Sequence, residues 1–104
     1  MERVAFKMKL FPGFEEEYQR RHDLIWPDLK VLLKESGISA YSIFLDIETN
    51  TLFAYLTIED KTKLSELPSF NIMKTWWEYM KDIMETNPDG SPVTIPLKEV
   101  FHLP

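Results

Sequence analysis

Cysteine is absent from the 104 residues, which removes disulfide cross-links, a thiol nucleophile and every thiolate metal site. Glycine is scarce, with three residues and none in a phosphate-cradling pattern, so there is no P-loop and no dinucleotide fingerprint. No Gly-x-Ser-x-Gly elbow occurs. The two histidines, His22 and His102, lack metal-ligand spacing and would need carboxylates brought in by folding, so no metal is expected. Positive charge is in deficit: twelve Lys and Arg stand against seventeen Asp and Glu, for a net −5, which argues against a nucleic-acid partner. The longest apolar run, Leu52–Leu56, is far too short to span a membrane. The opening MERVAFKMKL lacks the apolar stretch of a secretory signal, so the cytosol is the expected compartment. Length and a 44% hydrophobic content suit a single domain over residues 1–104. Aromatic residues are plentiful, with three Trp, four Tyr and seven Phe.

Residues 3–10 alternate, with Val4, Phe6, Met8 and Leu10 on one side, as in a half-buried strand ended by Pro12-Gly13. From Phe14 the period becomes helical: Phe14, Tyr18, His22, Ile25, Leu29 and Leu32 share one broad face. Pro27 interrupts it, which predicts a break between His22 and Asp28, and Ser36-Gly37 closes the helical region. Ile38–Leu45 and Leu52–Ile58 read as strands joined by a polar loop. A weak helical turn follows over Lys61–Leu67, and Ser69 is the expected N-cap of a second helix running to about Glu85. A last strand is expected over Leu97–Leu103.

The order β-α-β-β-α-β specifies an α+β, ferredoxin-like antiparallel sheet with both helices on one face. The strands carry bulky residues on both faces, Phe44 beside Ile43 and Leu45 for example, so the second face needs a cover. In a domain this small the cover is expected to be a second copy, giving a homodimer packed sheet to sheet.

His22 is the strongest candidate for proton transfer, because imidazole can give and accept a proton near neutral pH. It follows Tyr18 by one helical turn. The plainer reading is a helix-end histidine bonded to a backbone carbonyl, with Arg20 and Arg21 on a solvated face. Trp76-Trp77 are either core residues or the wall of a pocket, where an indole face covers the C–H face of a sugar. Adjacent helical positions lie about 100° apart, so the two rings cannot fill one site. Tyr41 has the same ambiguity, as core edge or as pocket donor.

At these residues the chain resembles the L-rhamnose mutarotase family. The resemblance is carried by Glu17-Tyr18-Gln19-Arg20-Arg21-His22, Ile25-Trp26-Pro27, Leu45-Asp46 with Asn50, and Trp76-Trp77 with Tyr79-Met80 and Asp82. It continues through Asn87-Pro88-Asp89, Ser91-Pro92-Val93 and Glu99-Val100-Phe101. The resemblance implies a dimeric α+β barrel, an isomerase that interconverts the anomers of L-rhamnose in cytoplasmic rhamnose catabolism, and no metal or organic cofactor. It also implies His22 as proton donor and Tyr18, Tyr41, Trp76 and Trp77 as sugar-binding residues. His102 departs from the pattern, where an aromatic such as Tyr is expected, and that bears on the edge of the pocket. Two other classes stay open: a non-catalytic sugar-binding module, and a small oxygenase on the same dimeric fold.

Overall fold

In a computed structural model describing residues 1–104, the N-terminal alternation becomes strand β1 (Glu2–Lys9), and Leu10 continues as a lone bridge to Met84. Helices α1 (Glu15–Asp23) and α2 (Pro27–Glu35) are separated where Pro27 demands it. Trp26, the residue before proline, is extended (φ −61°, ψ 133°), and Pro27 opens α2 where a missing N–H costs nothing. α1 carries Glu15, Glu16 and Glu17 in its first turn and Arg20, Arg21 and His22 in its last, matching the helix dipole. β2 (Ile38–Asp46) and β3 (Thr51–Ile58) form a hairpin whose turn ends at Asn50, held at φ 56°. A 3₁₀ segment (Lys61–Ser69) leads into α3 (Asn71–Met80), and the two-residue β4 (Ile95–Pro96) pairs with β1.

The strand order is β2-β3-β1-β4 with antiparallel neighbours, so the ferredoxin-like α+β fold expected from the sequence is the one observed, as an open sheet. Register puts Val4 opposite Leu56, Phe6 opposite Ala54 and Met8 opposite Leu52, all toward the helices. Against this row pack Leu29, Met73, Trp76, Met80 and Ile83. Burying each such leucine stabilises the fold by about 1.5–3 kcal/mol. The opposite face carries Phe44, Phe53, Tyr55 and Ile95, all exposed in the single chain.

Within β2 the pairing slips by one residue between Ile38 and Ala40. Ile38 faces the helices opposite Ile58. Strict alternation would send Tyr41 to the other side, yet the slip pairs it with the buried Leu56 and returns it to the helix face.

Three expectations for the C-terminal half fail. Ser69 does not cap α3, because its hydroxyl donates to the Glu66 carbonyl (2.6 Å) and Phe70 holds the N-cap position. α3 stops at Met80 rather than near Glu85, because the next residues are drawn to the end of β1: Phe11 N–H donates to Ile83 O and Glu85 N–H to Lys9 O. Met84 is buried by that bridge and not by helical periodicity. The last strand forms at Ile95–Pro96 instead of Leu97–Leu103. Leu97 N–H donates to Ala5 O, and no backbone hydrogen bond ties residues 98–104 to the sheet.

Candidate active site

Helix α1 presents Glu15, Tyr18, Gln19, His22 and Asp23 at i, i+3, i+4, i+7 and i+8, a single stripe along the helix. That stripe walls a hollow of about 660 Å³. Tyr41, Ile43 and Leu45 of β2 form another wall, Trp76 of α3 closes against His22, and Leu10, Leu29, Leu52 and Met73 supply an apolar base. The volume is within the range of small-molecule sites, and mostly apolar walls with a few polar groups are their usual composition.

The His22 ring stacks on Tyr18, with centroids 4.3 Å apart and planes at 26°, and meets Trp76 edge-on at 5.4 Å and 89°. Its Nδ1 lies 3.0 Å from the Tyr18 backbone oxygen. A carbonyl can only accept, so Nδ1 carries the hydrogen and Nε2 is the unprotonated nitrogen of the neutral ring. Burial holds the His22 pKa below its ordinary 6.5, against smaller upward pulls from the Tyr18 carbonyl and from Asp23. Neutral imidazole with a free Nε2 lone pair is therefore the resting form at pH 7. The helix-end carbonyl bond is real, and it leaves the second nitrogen available.

Both tyrosines are held neutral. Burial pushes the Tyr18 phenol well above its usual value, with a further push from Tyr41 nearby. Tyr41 keeps 39% of its surface as a residue, but desolvation in the hollow pushes its phenol up to about 12. Each is thus a hydrogen-bond donor throughout the physiological range.

The structure brings Tyr18, His22, Tyr41 and Trp76 together around the hollow and leaves Trp77 out of its lining. Trp77 packs half-buried at the margin of the core. Three polar lining residues, Glu15, Gln19 and Asp23, escaped the sequence reading, although their spacing from Tyr18 and His22 was the available signal.

Arg21 is a correction to the sequence reading, which put it on a solvated face. It is 9% exposed and joins α1 to the end of α3. It donates to Glu17 (2.7 Å), to the Tyr79 carbonyl (2.7 Å) and to both Asp82 oxygens (2.9 and 3.3 Å), and its guanidinium lies 4.3 Å from the centre of the Tyr79 ring. Tyr79 in turn stacks on Trp26 at 5.6 Å, and Trp26 meets Trp76 edge-on at 5.0 Å. The pocket tryptophan is thereby braced from behind by aromatic rings and a fixed cation. Arg20 does lie on the surface, paired with Glu17. No three His, Asp or Glu side chains converge in a way that would hold a metal ion, and no helix is long and apolar enough to cross a membrane.

A family model for L-rhamnose mutarotase matches residues 3–103. An L-rhamnose mutarotase of Bacteroides thetaiotaomicron is 55% identical over 103 residues, covering 99% of each chain. The crystal structure of an L-rhamnose mutarotase from Formosa agariphila superposes with a TM-score of 0.94 at 53% identity, over the whole of both chains. A dimeric ferredoxin-like protein from an uncultured marine organism shares the fold alone, at TM-score 0.66, 15% identity and 98% coverage of each chain. With its length matched end to end and its hollow built from the motif residues, the chain belongs to the L-rhamnose mutarotase family.

Proposed function

We infer that this chain is an isomerase that interconverts the α and β anomers of L-rhamnose. The observation that carries the reading is the fixed tautomer of His22 beside Tyr18, Tyr41 and Trp76, in a hollow with room for a monosaccharide. Ring opening takes the proton from the anomeric hydroxyl, breaks the C1–O5 bond with its electron pair going to O5, and adds a proton at O5. Rotation about C1–C2 and the reverse steps close the ring on the other carbonyl face.

Neutral Nε2 of His22 accepts the anomeric proton, and the resulting imidazolium protonates the ring oxygen. This transfer is general acid–base catalysis, worth about 10²–10⁴-fold. O1 and O5 share one carbon, so one nitrogen reaches both. Tyr18 and Tyr41 orient hydroxyls through neutral phenols, and Trp76 covers the apolar face of the sugar. Trp77 joins the binding residues on the family resemblance alone. The chemistry calls for no metal or organic cofactor. The proposed assembly is a homodimer closed across the open sheet face into an α+β barrel, and the proposed compartment is the cytoplasm.

Exchange NMR on the L-rhamnose anomers tests the activity. Catalytic protein should accelerate anomer exchange, and a rate equal to buffer would leave only a sugar-binding module.

A further inference from the structure

Ring opening puts a positive charge on an imidazole whose surroundings resist it. His22 is half-buried, stacked on Tyr18 and edge-on to Trp76, and it carries the proton between O1 and O5 of the sugar. Most groups around it offer nothing to balance that charge. Helices α2 and α3 and strand β3 turn only Leu29, Leu33, Leu52, Met73 and Trp76 to the hollow, and all are uncharged. Strand β2 adds one titratable group, Tyr41, which is held neutral. On α1 itself Tyr18 is neutral as well. Arg20 and Arg21 are engaged by Glu17 and Asp82 and do not line the hollow. Glu15 does line it, but stands seven residues before His22, about 10 Å back along the helix axis.

Asp23 differs from all of these. It is the last residue of α1, lines the hollow next to His22, and is exposed, with no hydrogen bond or ion pair from its carboxylate to any protein group. It also breaks the charge pattern of its helix. Acids fill the first turn and Arg20, Arg21 and His22 the last, as the helix dipole favours, whereas Asp23 sets a negative charge at the negative end. The placement works against the helix, and no cation offsets it.

We propose that Asp23 is a positioning residue for the proton transfer, whose uncompensated carboxylate acts through His22 to lower the free energy of the imidazolium formed during ring opening. The inference deepens the proposed function and rests on His22 as the base of anomer exchange. Among the charged groups, Asp23 is the one that pulls the His22 pKa upward against burial. The ring is neutral with sugar bound and charged only in transit. The attraction is therefore stronger in the transition state than in the bound complex, and its loss falls on kcat rather than KM.

Asp23→Asn tests it, because the variant keeps the shape and removes the charge. Near neutral pH its kcat for anomer exchange should fall about threefold or more, with KM held within about 1.5-fold. The acid limb of its kcat profile should move to lower pH, since the imidazole has lost its anion. NMR titration of the His22 ring in sugar-free protein, with the signal assigned by its loss in His22→Ala, should show the same downward move. Asp23→Glu, which restores the charge, should bring the titration and kcat back toward wild type. At about 1 M salt, where the screening length is about 3 Å, the gap between wild type and Asp23→Asn should narrow.

An unmoved titration or an unmoved kcat in Asp23→Asn would overturn the proposal. So would a loss confined to KM, which would make Asp23 an acceptor for sugar hydroxyls. The melting temperature of Asp23→Asn should hold or rise, because a charge opposed to the dipole is gone. A lower melting temperature with unchanged kcat would assign Asp23 to the fold instead. A wild-type protein that fails to exchange anomers would refute the function on which this rests. One that exchanges them no faster than Asp23→Asn would refute the role of Asp23 alone.

Discussion

Replacing Arg21 with Met keeps most of the stem and removes the fork that joins α1 to α3. The Tyr79 carbonyl, near the C-terminal end of α3, would lose a charge-assisted donor now 2.7 Å away, a bond worth about 1.5–3 kcal/mol. Loss of the cation over the Tyr79 ring adds about 0.5–1 kcal/mol. Glu17 and Asp82 are 31% and 65% exposed, so their bonds to Arg21 are screened and add little. The expected destabilisation is about 2–4 kcal/mol, and the melting temperature should fall by at least about 8 °C. The loosened brace should also raise KM for the sugar, because His22 and Trp76 are held on the two helices that Arg21 ties together. The assay is thermal unfolding at matched protein concentration, followed by anomer exchange well below the transition. Arg20→Met is the control, since Arg20 is its sequence neighbour but pairs only at the surface. If the two variants melt within about 2 °C of each other, the brace has no energetic content and the reasoning fails.

The pH profile follows from His22, whose folded pKa is below its unfolded 6.5. Stability tied to the neutral ring is complete above pH 6.5 and is lost as pH falls toward the folded pKa, because the unfolded chain takes the proton more readily. The exchange rate should rise through the same acid range and level off above it, and a rate that falls between pH 6.5 and 8 would remove Nε2 as the initial base. Trp76→Leu should raise KM by about fivefold or more, more than Trp77→Leu does, since an aromatic face in the hollow contributes about 1 kcal/mol or more. The reverse order in titrations of the two variants would move the sugar's wall to Trp77. Asn50→Val, at φ 56°, should cost about 1–2 kcal/mol in urea unfolding, and an unchanged midpoint would show that the turn relaxes freely.

The sheet and helices were legible wherever a local period met a local stop. The alternation of residues 3–10, the break at Pro27 and the aromatic strands at Ile38 and Leu52 each announce themselves within a few residues. What misled was long-range. Met84 continues the helical spacing of Met73, Trp76 and Met80, but its burial comes from Leu10, more than seventy positions earlier. The tail alternates like a strand, yet its backbone makes no hydrogen bond to the sheet beyond Leu97. At the site, the Tyr18–His22 pairing was visible because a helix fixes it. The convergence of Tyr41 and Trp76 on that pair was not, since it depends on tertiary packing and on the register slip in β2. Arg21 looked like Arg20 because sequence gives no sign of which charged neighbour will meet the end of another helix.

The extra residue in β2 makes the pocket's composition a matter of counting as well as chemistry. Were Ser42 lost, the hairpin could keep Ile38 opposite Ile58 and Ile43 opposite Ala54 only by absorbing the slip, and Tyr41 would move opposite Tyr55, onto the outer sheet surface. Point substitutions can tune this wall one side chain at a time. A single-codon deletion at Ser42 would take the phenol out of it at a stroke, so variation at that place should be tolerated as replacement and rejected as change of length.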